Sequence, residues 1–256
     1  MALNFDLISD LYLDSIADFS WEGKATSLFC IVAGNISKDH DVLFAFLEYI
    51  AQFYEGVFFI DGDLEHDQFD GDFDRSYASL RDNIAELTDV IFLHENIVIL
   101  PGVTLLATNG WTTFDFTSNN EIDETMEFLQ ERDNVPLSIA NTIFKLAVTD
   151  QHYMYNSIDA CQNMDEVGNV IVITNSVPSP DFITHDENYN GTVLGDISGN
   201  SGLMSCLDKD PRGKVKTWLF GKYTGDIDYE VDGVRFVNNP GLNKDPGIYY
   251  PRIIKT

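Results

Sequence analysis

The chain has 256 residues, is 44% hydrophobic, and carries 42 acidic against 15 basic side chains, a formal net charge of -27. Length and apolar content are enough for one large domain with a buried core, exclude a disordered chain, and include no apolar run near the roughly 18 residues of a membrane helix. A surface this acidic repels phosphate backbones and acidic lipid headgroups, so direct nucleic-acid or membrane binding is not expected; a basic protein partner or a place in a large assembly suits it. The opening MALNFDLISD has neither the basic nor the apolar segment of a secretion signal and reads as a first strand. Cys30, Cys161 and Cys206 are odd in number and far apart, which fits buried thiols in a reducing, cytoplasmic compartment.

In chain order, FDLIS (Phe5 to Ser9) is a first strand, and LFCIVAG (Leu28 to Gly34) is a buried strand ended by its glycine. Asp41 can cap a helix that places Leu43, Phe46, Leu47, Ile50 and Phe53 on one face. GVFFI (Gly56 to Ile60) is a third strand, followed by an acidic run from Asp61 to Asp74 and a helix over Tyr77 to Leu87. VIFLHENIVIL and VTLLATN are strand-like, Ile122 to Cys161 is mostly helical in pattern, and NVIVITN and TWLFG return to strand. DYEV and VRFVN form a hairpin across Asp232-Gly233, a pair favoured in type I′ turns. PGIYYPRI, near the end, is suited to covering a sheet edge. The alternation predicts an α/β (α+β) single domain.

Several strands end in polar loops: Asp10-Leu11-Tyr12, Gly34-Asn35, Gly62-Asp63-Leu64-Glu65, Thr174-Asn175-Ser176 and Gly221-Lys222-Tyr223-Thr224. Ligands of open α/β sheets bind beyond the carboxyl ends of strands, so these loops predict one polar pocket. The acidic run is not an EF-hand, because the required glycine position counted from Asp61 is His66, and position twelve counted from Asp70 is Arg81. It is expected to be a solvated loop, with His66 at the surface and alone among the five histidines in lying near the pocket. GDISGNSG (Gly195 to Gly202) lacks the P-loop Lys-Ser/Thr and is expected to be a flexible loop.

The blocks ISDLYLD, VAGNISKD, IDGDLEHD, VITNSVPSP and FGKYTGDIDY, closed by VRFVNNPGL, resemble in order and spacing the motifs of calcineurin-like metallophosphoesterases. Those motifs are D-x-H, G-D, G-N-H-D/E, an isolated His after a strand, and G-H-x-H. VIFLHENIVILPGVTLLATNGWTTFD resembles the compact bacterial and phage members. The resemblance runs over nearly the whole chain. It implies a four-layer α-β-β-α sandwich of two mixed sheets in one domain over residues 1–256.

The same resemblance implies a degenerate site. Family members hold two divalent metals with Asp and His ligands, one Asp bridging. Here Asp10 is kept, but Tyr12 replaces the following His, and Asn35 replaces the bridging Asp. Asp63 stands for the motif Asn, Leu64 for the His that protonates the leaving group, Asn175 for the isolated ligand His, and Lys222 and Thr224 for the last two histidines. Hard oxygens without imidazole hold transition metals weakly, and an ammonium repels a cation. The expected protein is therefore a pseudoenzyme without metal, cofactor or catalytic residues. It would serve as a binding or structural subunit with a protein partner, in the cytoplasm or, as a phage component, in the virion. In place of metals, Lys222 is expected to join Asp10 and Asp63 in an internal salt bridge. The alternative is a residual phosphoesterase acting on a phosphomonoester or phosphodiester with Asp10, Asp63 and Glu65 around Mn or Mg. A third reading keeps phosphate or nucleotide binding through Lys222.

Overall fold

A computed structural model of the chain describes residues 3–16, 19–117, 125–127, 129, 130, 136–242, 244, 245 and 248–256. Its apolar runs form strands β1 (Asn4–Ile8), β2 (Phe29–Ala33), β3 (Gly56–Ile60), β4 (Val90–Phe92), β5 (Asn96–Leu100), β6 (Val103–Ala107), β7 (Asn169–Thr174), β8 (Val215–Phe220), β9 (Asp228–Val231), β10 (Val234–Val237) and β11 (Arg252–Lys255). They assemble into a five-stranded sheet, ordered β11-β1-β2-β3-β4, and a six-stranded sheet, ordered β5-β6-β7-β8-β10-β9. Inner neighbours run parallel, while the edge strands β11, β5 and β9 pair antiparallel, so both sheets are mixed.

Inner strands such as β3, buried at every position, must be covered on both faces. Between the sheets, Leu7, Ile31 and Ile60 of the first pack with Leu105, Ile171 and Leu219 of the second. Helices α1 (His40–Ala51) and α2 (Phe73–Ile84) cover the outside of the first sheet, setting Leu43, Leu47, Ile50 and Leu80 on Val32, Val57 and Phe59. Helix α3 (Leu137–Asn163) covers the second sheet with Met154, Ile158 and Cys161 against Leu106, Val170 and Val172. These are the four layers the resemblance implies. The three cysteines are buried and free.

Several boundaries differ from expectation. VIFLHENIVIL is two strands in different sheets, because the chain turns at Leu93 to Glu95, where Glu95 has φ 45. Asp39 caps α1 by accepting from Asp41 N, and Asp72 caps α2, whose first turn begins four residues before Tyr77. The helical pattern over Ile122 to Cys161 becomes α3 from Leu137 onward; residues 122–124, 128 and 131–135 lie outside the described residues. PGIYYPRI leads into β11, which occupies the edge beside β1. Asp232 and Gly233 have φ 51 and 81, the left-handed pair that a type I′ turn requires. Among the described residues no helix is long and apolar enough to cross a membrane.

Leu219, fully buried between the sheets, provides a test of this layering. Leu219→Ala should cost about 2–5 kcal/mol, read as a lower urea midpoint with an unchanged denaturant slope.

Candidate functional site

The loops after β1, β2, β3, β7 and β8 meet at one point. Asp10 Oδ1 accepts from Lys222 N at 2.8 Å and from Asn35 Nδ2 at 3.0 Å. Asn35 Nδ2 also donates to Asn175 Oδ1 at 2.9 Å, and Asn175 Nδ2 donates to Asp63 Oδ1 at 3.3 Å. Leu64 N donates to Asn35 Oδ1 at 3.2 Å, and the Lys222 ammonium pairs with Asp63 Oδ2. Lys222 thus joins the two acids, but reaches Asp10 through its backbone N–H rather than its ammonium.

Close approach of the strand ends depends on glycine. A Cβ on Gly34 would lie 2.7 Å from Asn175 Oδ1, and one on Gly62 would lie 2.5 Å from Asn35 Oδ1. The turns themselves are tight: Asp10, Tyr12, Asn35 and Lys222 all sit in the left-handed region, with φ of 53, 51, 56 and 63. Asp and Asn tolerate this region, whereas Tyr12 and Lys222 each carry a strain of about 1–2 kcal/mol.

Asp10 Oδ2 is buried and has no hydrogen-bond partner. Burial pushes the Asp10 carboxyl up to about 6, against the hydrogen bonds from Asn35 and Lys222. Tyr12 lies beside it, its phenol pushed well above the ordinary range by burial and the Asp10 and Asp63 charges. Glu65, a ligand in the residual-activity reading, does not line this pocket. Its carboxylate accepts from Gly62 N, Asn35 N, Ile36 N and Ser37 N at 2.7, 3.1, 2.6 and 3.2 Å, and so clamps the β2 and β3 loops together. Burial pushes it up to about 7 against those donors.

The pocket is a cavity of about 360 Å3, onto which Asp10, Tyr12, Asn35, Asp63, Leu64 and Thr224 open together with Lys222. Its donor set does not fit divalent cations. The Asn35 amide N–H groups and the Lys222 ammonium occupy the centre, where a metal needs electron-pair donors. Among the described residues, no three His, Cys, Asp or Glu side chains are grouped so as to hold a metal. A general acid is absent at Leu64, which donates only its backbone N–H.

Expectations for the acidic run need correction. His66 is buried, not at the surface: Nε2 lies 2.9 Å from Asp61 Oδ2 and Nδ1 lies 2.8 Å from Ser76 Oγ. None of the five histidines lines the pocket, and two more share the interior of the acidic loop with it. His94 Nδ1 lies 3.5 Å from Asp61 Oδ1, and His40 Nε2 lies 2.7 Å from Glu65 O. Asn109 Nδ2 completes the Asp61 cluster at 2.8 Å. Burial opposes the Asp61 charge, but His94 and His66 outweigh it and bring the carboxyl well below its ordinary range. Beyond His66 the run is solvated as expected at Asp67, Asp70, Asp72 and Asp74. The Gly195 to Gly202 segment is a packed wall rather than an open loop. Asp196 and Asn200 are fully buried, and a Cβ on Gly195 would lie 1.9 Å from Tyr189 O. It brings Ile197 and Ser198 to the cavity, with Tyr189 and Leu194 beside them. The sequence holds no signal for these wall residues, since their role arises only from packing.

Comparison with solved structures supports the fold. The phosphopantetheinyl hydrolase PptH of Mycobacterium tuberculosis superposes with a TM-score of 0.68 at 13% identity, covering 98% of this chain and 95% of that one. A Staphylococcus aureus protein assigned as a 5′-nucleotidase, in complex with α-ketoglutarate, gives 0.49 at 11% identity over 94% of this chain and 49% of that one. GAP50, the anchor in the inner membrane complex of Plasmodium, gives 0.47 at 10% identity over 93% and 71%. No family model matches the sequence, and no curated protein matches it. The first of these likenesses defines the fold: an α/β sandwich of two mixed sheets, of the metallophosphoesterase type.

Asp10 provides a test of the site's electrostatics. Its folded-state value near 6 lies above an ordinary 3.8, so the folded protein holds that proton more tightly. The resulting stability is complete below about pH 4 and lost as pH rises through 6. Asp10→Asn should therefore stabilise the protein at pH 7 by about 1–3 kcal/mol and flatten the pH 4–6 decline, as read by urea unfolding across pH.

Proposed function

We propose that the chain is a catalytically inactive protein of the metallophosphoesterase fold, acting as a binding or structural subunit. The observation that carries this reading is the centre of the pocket. The Lys222 ammonium pairs with Asp63, and the Asn35 amide donates to Asp10, so one internal positive charge and one neutral donor stand where metals would supply positive charge. Water activation and phosphate clamping by a metal pair have no ligands here, and Leu64 offers no proton. The net charge of -27 favours a basic protein partner in a larger assembly. The resemblance of residues 90–115 to compact bacterial and phage members makes a virion one such assembly.

A residual Mn- or Mg-dependent phosphoesterase is the competing reading, now reduced to Asp10 and Asp63 because Glu65 is occupied by backbone N–H groups. Elemental analysis of the purified protein should find Mn, Mg and Zn well below one per chain. With added Mn, p-nitrophenyl phosphate and bis-p-nitrophenyl phosphate should turn over no faster with wild type than with Asp10→Ala. One metal per chain, together with turnover that Asp10→Ala abolishes, would overturn the proposal.

A further inference from the structure

Four strands end the two sheets, and three of them are guarded. Strand β4 has three residues, β9 carries Asp228 and Glu230, and β11 begins with Arg252 and ends with Lys255. Short length and charge keep a sheet edge from pairing with another chain. Strand β5, Asn-Ile-Val-Ile-Leu, has no charged residue, and its Ile99 is 44% exposed. Among the described residues no strand pairs with its outer side. The direction of its backbone groups follows from its neighbours. Thr108 N donates to Ile173 O of β7, so by alternation Thr104 and Leu106 turn toward β7, and Val103, Leu105 and Ala107 turn toward β5. Their register partners are Leu100, Val98 and Asn96. Ile97 and Ile99 therefore point their N–H and C=O groups at the open edge. Ile97 agrees with this: its N–H donates to the side-chain oxygen of Asn96 at 2.9 Å, where a strand carbonyl would otherwise accept.

We propose that β5 pairs antiparallel with β5 of a second copy of this chain, joining two six-stranded sheets across a two-fold axis at Val98. The outward groups are their own complement. Ile97 of one copy meets Ile99 of the other in both directions, so each N–H finds a carbonyl, and each exposed Ile99 side chain is covered by a β-branched neighbour. Centring the axis on Ile99 would set Ile97 opposite Pro101, which has no N–H. With Val98 on the axis, the two Glu95 residues flanking β5 lie six residue steps apart, about 20 Å, beyond the ~8 Å over which charges are felt in physiological salt. The uncharged edge thus lets two acidic chains meet where neither presents its charge. Each copy has one such edge, so the pairing closes at a dimer. The inference does not depend on whether the pocket holds metal.

Sedimentation velocity of the full chain across the micromolar range, in enough NaCl to screen the net charge, tests the idea. A monomer–dimer equilibrium without larger species is expected. Ile99→Pro removes a donor that faces outward, and Ile99→Lys supplies the charge this edge lacks. Each should weaken the dimer about tenfold or more, with circular dichroism verifying the fold. Tyr229→Lys, on edge β9 of the same sheet, should leave the dimer unchanged. Amide hydrogen exchange at Ile97 and Ile99 should slow as concentration rises, while exchange at Val98, whose N–H already faces β6, stays the same. A monomer throughout the range would overturn the inference. So would open-ended association, a dimer that neither Ile99 variant weakens, or one that Tyr229→Lys disrupts.

Discussion

The carboxamide of Asn35 is the contact on which the site depends. Its Nδ2 lies between Asp10 Oδ1, at the end of β1, and Asn175 Oδ1, at the end of β7. These two strands belong to different sheets. One neutral donor therefore ties the two halves of the sandwich at their loop edge. An aspartate there would bring a third carboxylate beside Asp10 and Asp63, with only Lys222 to offset it, and would lose both donated hydrogen bonds. A neutral amide removes that repulsion and converts two acceptors into satisfied partners.

Charge elsewhere in the molecule is handled by the same rule. Asp61 is fully buried yet engaged by His66, His94 and Asn109, and Asp150 takes donors from Thr108, Gly110 and Trp111 at 2.5, 2.7 and 3.1 Å. Burial nevertheless pushes Asp150 up to about 6, whereas the two histidines draw Asp61 down. The difference lies in direct contact rather than depth: His66 and His94 lie against the Asp61 carboxylate, whereas His94 acts on Asp150 through its charge alone. No histidine lines the pocket, while His66 and His94 brace the acidic loop through Asp61.

How much of this was legible in the sequence follows from range. The inner strands are legible because burial on both faces forces uninterrupted apolar runs, and the strand-end loops because Gly34, Gly62 and Gly221 precede their polar residues. The positions Asp10, Asn35, Asp63 and Lys222 follow from those loops, and the structure brings them into one cluster. The burial of His66 is not legible, since it requires Asp61, Ser76, Tyr77 and Trp111 to surround it. The break inside VIFLHENIVIL is hidden for a similar reason: both halves are apolar, and only the three residues Leu93 to Glu95, with Glu95 left-handed, separate the sheets. Strand β11 is four residues whose pairing is decided by the free edge of β1 rather than by its own pattern.

The turn geometry carries the last step. Asp10, Asn35 and Lys222 keep left-handed backbones at three strand ends, a conformation that asparagine and aspartate accept but lysine resists. Lysine persists in that conformation only where the surroundings hold it, and here they hold both its ends: the backbone N–H on Asp10 and the ammonium on Asp63. The same residue is therefore held in place by the acids it neutralises. Neutralising Asp63 loosens the side chain, whereas neutralising Asp10 can retain the backbone hydrogen bond through an amide oxygen. The two acids are thus unequal: Asp10 sets the path of the chain, and Asp63, the more open of the two, pairs with the side-chain charge. A turn fixed by a backbone hydrogen bond constrains the path of the chain more than the side chain it presents, so one framework can carry different chemistry at its strand ends.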